Sequence, residues 1–112
     1  MAAGSDRLWD QVNQVMERRR GWALEPQSSP GAPALWCLSA DWEYQLSVGV
    51  EGQAISVFLV DHDVELRLPD PDTLVGWLDA NEALFFRRRD LPAETFEEIM
   101  RARLVEWRRA GY

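Results

Sequence analysis

The residue types in this chain that could do chemistry sit in a few short runs. The densest is Asp61-His62-Asp63. Histidine ligates metals and changes charge near neutrality, and flanking carboxylates could orient it or share a cation. Yet neighbouring residues of an extended chain point in opposite directions. One His with no second His and no thiolate pair is a poor zinc set. Asp is also good turn chemistry. The run therefore predicts a solvent-facing hairpin tip, with no metal site and no catalytic residue.

Asp70, Asp72 and Asp79 form a looser acidic group. Asp70-Pro71-Asp72 has the pattern of a helix start, with a capping carboxylate, a proline at the first helical position and an acid in the first turn. Capping accounts for these acids without catalysis. A glycosidase pair needs a fixed carboxylate separation, which spacing along the chain does not supply. The sequence contains no G-x-S-x-G elbow, P-loop, dinucleotide glycine pattern or H-E-x-x-H.

The cations are all arginine, twelve of them and no lysine, which fits a GC-rich bacterial genome. Six lie in two triplets, Arg18-Arg19-Arg20 and Arg87-Arg88-Arg89. Guanidinium clusters bind anionic groups in forked geometry, so either triplet could hold an anionic ligand beside the 22–33 segment. As helix-end residues they would instead complement the helix dipole and face water. The net charge of −7 argues against a general nucleic-acid binder. The single Cys37 excludes an internal disulfide and a Cys-based zinc site. It lies in an apolar run and reads as an inert, buried thiol. No cofactor is implied.

The elements that must position these residues centre on 42–68. Trp42, Tyr44, Leu46, Val48 and Val50 alternate with polar or small residues, the period of a half-buried strand. Glu51-Gly52 reads as a two-residue turn. That register sets Val48 opposite Ile55, Leu46 opposite Val57 and Tyr44 opposite Leu59. A second turn with His62 and Asp63 at its tip sets Leu59 opposite Leu66 and Val57 opposite Leu68. Both turns send the apolar residues to one face. The other face carries Glu43, Gln45, Ser47, Ser56, Glu65 and Arg67 with Phe58 and Val60, and Phe58 falls between Gln45 and Arg67.

Ser5 is a candidate N-cap for a first helix bearing Leu8, Val12, Val15 and Met16, with Trp9 beside the stripe, the first Arg triplet in its last turn and Gly21 as its stop. Residues 22–33 hold Pro26, Ser28, Ser29, Pro30, Gly31 and Pro33 and read as an irregular connecting loop. Ala34–Leu38 forms the first strand, with Trp36 and Leu38 inward. A helix begins at Pro71 with Leu74, Val75, Trp77 and Leu78. Asn81 stops or kinks it, and residues 83–89 either continue it or form a separate turn. Pro92 opens the last helix, with Phe96, Ile99, Met100, Arg103, Leu104 and Trp107 on one face.

The expectation is one α+β domain over 1–112: an N-terminal helix, a four-stranded antiparallel meander, and two or three C-terminal helices packed on one face. With no long apolar run for a membrane span or signal peptide, the expected setting is a bacterial cytoplasm. Six tryptophans are many for this length. Most fit a packed core, while Trp9 and Trp22 are the least fixed by periodicity. With Phe58, Val60 and Arg67 they make a candidate partner surface. The expected function is a non-catalytic protein-interaction module, an adaptor, small chaperone or inhibitor/immunity-type partner, binding another protein or itself as a homodimer. Nucleic acid and membrane are not expected partners. The alternative is a small-molecule binder or enzyme holding an anionic ligand with an Arg cluster near 22–33.

Overall fold

A computed structural model describes residues 3–25, 34–40 and 43–112 of the chain. Among these residues the elements are α1 (Ala3–Glu17), β1 (Trp22–Glu25), β2 (Leu35–Ala40), β3 (Glu43–Glu51), β4 (Ala54–Leu59), a 3-10 turn (Val60–His62), β5 (Val64–Leu68), α2 (Pro71–Phe86), a second 3-10 turn (Arg88–Asp90) and α3 (Ala93–Arg109). The strands form one antiparallel sheet in chain order, β1-β2-β3-β4-β5.

The meander therefore has five strands where four were expected. The addition is β1, from a stretch read as irregular loop. Trp22, Ala23, Leu24 and Glu25 pair with Leu38, Cys37, Trp36 and Leu35. Two apolar alternations are too short to register as a strand period beside a Pro- and Ser-rich stretch, and pairing with β2 supplies what propensity does not. The remainder of that expected loop, 26–33, lies outside the described residues, as does Trp42.

Both hairpin registers differ from expectation by two residues, for the same kind of reason. The first turn is Gly52-Gln53, with Gly52 at φ +62°. Only the first central residue needs a positive φ in a type II′ turn, and glycine supplies it there. Leu46 consequently faces Leu59 and Val48 faces Val57. The second connection uses Val60–His62 as a 3-10 turn and Asp63 at φ 51°, a left-handed position that Asp tolerates better than most residues. Leu59 then faces Val64, and Val57 faces Leu66. A shift of two keeps every side chain on its face, so the core face stands as expected.

That face packs Trp22, Trp36, Leu38, Leu46, Val48, Ile55, Val57, Leu59, Leu66 and Leu68 against residues of all three helices. α1 contributes Val12 and Met16, α2 contributes Leu74, Trp77, Leu78 and Phe85, and α3 contributes Phe96, Met100 and Trp107. α1 ends at Glu17, so the first Arg triplet follows the helix instead of occupying its last turn. Gly21, at φ +85°, then reverses the chain into β1. α2 begins as expected: Asp70 caps it by accepting from the Thr73 backbone N–H at 2.7 Å, and Pro71 follows. It runs unbroken to Phe86. Asn81 does not stop it, because its amide donates back to the Trp77 carbonyl at 2.8 Å and stays inside the helix.

Candidate functional site

The Asp61–Asp63 corner is not a tip splayed into water. The His62 side chain is only 16% exposed, and its Nε2 lies 3.0 Å from the Glu97 carboxylate at the start of α3. Its ring centroid is 6.2 Å from that of Phe96. Asp61 accepts from Arg88, whose guanidinium carbon stands 5.1 Å over the Phe96 ring. Phe96 also meets Phe85 edge-on at 5.8 Å. An imidazole–carboxylate contact and an arginine–aspartate ion pair thus bracket one aromatic ring and dock the β4–β5 corner onto α3. Acid–base residue types gathered here do a joining task. Among the described residues no group of three or more His, Cys, Asp or Glu is placed to hold a metal ion.

The first triplet has a similar fate at its centre. Arg19 donates through Nε to Glu82 Oε2 at 3.0 Å, and through Nη2 to Glu82 Oε1 at 2.7 Å and Asp79 Oδ1 at 2.8 Å. Trp22 Nε1 donates to the same Glu82 Oε2 at 3.1 Å. The hydrogen bond with Glu82 is the main cause that raises the Arg19 pKa above its ordinary value, with burial opposing and Asp79 assisting. This latch ties the end of α1, the start of β1 and the middle of α2. It accounts for Asp79, and it engages the Trp22 side chain: the indole is in the core and its N–H donates to Glu82. Trp9 is partly buried and packs against the same core.

The remaining expected sites divide by face. Phe58 is half-buried on the outer face, between Ser47 and Glu65 in register, not between Gln45 and Arg67. Arg67 is exposed, with Glu65 at 3.7 Å and Glu51 at 3.8 Å. Val60 is 40% exposed in the corner turn. Cys37 is buried on the outer face, and its thiol donates to Glu25 Oε2 at 3.3 Å. Burial, and then the adjoining Glu25 carboxylate, push its pKa up to about 12, so at neutral pH it is a thiol and a poor nucleophile.

A different surface combines two residues outside the expected set, Leu24 and Phe86, with arginines of the two triplets. β1 is an edge strand, and no strand among the described residues pairs with its outer side. Leu24 on β1 is 48% exposed, and Phe86 at the end of α2 is 42% exposed. The Phe86 ring lies against Gly21, so close that a Cβ there would meet its carbons at 2.4 and 2.6 Å. This contact carries the end of α2 to the start of β1. Arg87 follows Phe86 and Arg20 precedes Gly21 in the chain, and both are exposed, as is Arg18. Arg88 is engaged with Asp61 and Arg89 also has a partner. Exposed members of both triplets thus adjoin, in the chain, the two residues of this contact, and Gly21 leads directly into β1. The sequence signals for Leu24 and Phe86 were only their apolarity next to a charge run.

Fold and surface together define an α+β protein with an antiparallel five-stranded meander and three helices, in which Leu24 of the first strand is exposed. Compared with protein-family models, curated proteins and solved structures, the chain matches none of them.

Proposed function

We propose that this chain is a non-catalytic protein-interaction module that receives an extended, acidic segment of another protein along the open edge of β1. The observation that carries this reading is the outer edge of Trp22–Glu25, which no strand among the described residues pairs, with Leu24 exposed on it and the Phe86–Gly21 contact at its start, next in the chain to exposed Arg20 and Arg87. A strand edge offers main-chain hydrogen bonds to an added strand, and adjacent side chains select its sequence. Exposed apolar residues rimmed by arginine are favoured anchors at interfaces. These exposed cations stand out on a chain of net charge −7 and suit a partner of opposite sign. A bacterial cytoplasmic setting is part of the proposal, supported by the arginine-only cation set and the single, unreactive thiol.

The test is fluorescence anisotropy with a labelled peptide in which valine and phenylalanine alternate with glutamate, compared with its lysine counterpart. Selective binding of the glutamate peptide is expected, with NMR shifts at the amides of 22–25. Leu24→Asp should weaken it at least about tenfold. Equal affinity for both peptides, or no binding, would overturn the reading. A second reading has Arg18, Arg20 and Arg87 hold a small anionic ligand, since Arg20 and Arg87 each adjoin a residue of the Phe86–Gly21 contact. Binding of inorganic phosphate that depends on Arg20 and Arg87 and leaves the β1 amides unshifted would favour that one.

A further inference from the structure

The outward face of α3 carries a charge pattern that complements itself. Phe96, Met100 and Trp107 point into the core, and the helical repeat places Glu94, Glu98, Arg101, Val105 and Arg109 on the opposite side. All five are exposed, Val105 at 51%. The first half holds a shallow acidic depression of about 380 Å³ lined by Ala93, Glu94, Glu97, Glu98 and Arg101. The second half holds one of about 460 Å³ lined by Leu104, Val105, Arg108 and Arg109.

We propose that two copies of this chain pair through α3, antiparallel, about a two-fold axis near residue 103. In such a pair, residues on one side of the contact line meet residues on the same side of the partner helix. Glu98 and Arg109 share one side, and they lie five residues before and six after Arg103. Each Glu98 then meets an Arg109 of the second copy, twice by symmetry. Arg101 and Val105 lie two before and two after, so each Val105 rests on the aliphatic stem of the other copy's Arg101. On the second side, Glu97 and Arg108 fall opposite each other in the same register. Glu97 already meets His62, and Arg108 donates to the Tyr112 carbonyl at 3.0 Å. The exposed pairs at Glu98 and Arg109 therefore set the alignment. A parallel pairing would put like charges together, so charge alone selects the direction. A helix of this length, about 25 Å, gives a small contact, so the dimer is weak and salt-sensitive.

This surface lies apart from β1, and its test does not involve the acidic peptide. Sedimentation velocity on the full chain should show the average mass rising towards two copies between micromolar and millimolar concentration, and falling back in high salt. Glu98→Arg alone, and Arg109→Glu alone, should each abolish the association. The double reversal Glu98→Arg/Arg109→Glu should restore it, with far-UV circular dichroism unchanged in all three. A monomer throughout would overturn the proposal, and so would a dimer that both single reversals leave intact. Peptide binding at β1 should be the same in every α3 variant, so failure here and failure of the strand-edge reading are told apart.

Discussion

The two arginine triplets are the same three letters used in two grades. In each, the central residue is drawn inward. Arg19 grips Glu82 and Asp79 at a side-chain exposure of 16%. Arg88 reaches Asp61 and covers Phe96 at 29%. Consecutive residues near a helix end point about 100° apart, so when the guanidinium of Arg19 turns to its carboxylates, Arg18 and Arg20 stay exposed. The two differ in what they hold. Arg19 joins three elements, and its carboxylate partner also satisfies a core tryptophan. Arg88 joins one turn to one helix, and its partner Asp61 is itself a third exposed. A run of charge is thus neither wholly a solvated face nor wholly a site. Its middle is structural, and of its flanks Arg18, Arg20 and Arg87 are exposed while Arg89 has a partner.

The sharpest way to break that difference is Glu82→Ala. It strips Arg19 of its main partner and leaves Trp22 Nε1, in a core indole, without an acceptor. Removing one member of a partly buried ionic hydrogen-bond set costs about 2–3 kcal/mol. Urea denaturation should show that loss as a lowered midpoint at unchanged slope. Arg88→Ala should cost less, about 1 kcal/mol, since it removes a half-exposed ion pair and a cation–π contact. If the two variants lose the same amount, the grading of the triplets is wrong.

The same contrast explains what the sequence could and could not disclose. The core face was legible because Leu46, Val48, Ile55, Val57, Leu66 and Leu68 obey period two through two turns, and a two-residue slip does not change which face they occupy. The helix start at Asp70-Pro71 was legible because capping is local chemistry. The edge strand Trp22–Glu25 was not, since its evidence is the pairing with β2. Nor were the fates of Arg19, His62 and Arg88, whose partners lie 63, 35 and 27 residues away in the chain. Residue type announces that an arginine will seek a carboxylate. Only the packing of α1 on α2, and of the β4–β5 corner on α3, says which one.

The smallest stability effect is the most telling one. Arg18→Ala and Arg87→Ala remove exposed side chains from the outer positions of the two triplets. Neither contributes to the latch or to the corner, so each should change stability by less than about 0.5 kcal/mol, the usual range for surface substitutions. If the flanks serve a partner, the same two changes should weaken binding of the glutamate peptide several-fold and flatten its salt dependence, because each removes one exposed cation. Glu82→Ala should do the reverse, lowering stability while leaving the exposed cations in place. A measured crossing of these two effects, stability at the centre and binding at the flanks, would establish the division of labour within each triplet. Arginines at the flanks that change stability as much as Arg19 does, or peptide binding indifferent to both, would dissolve it.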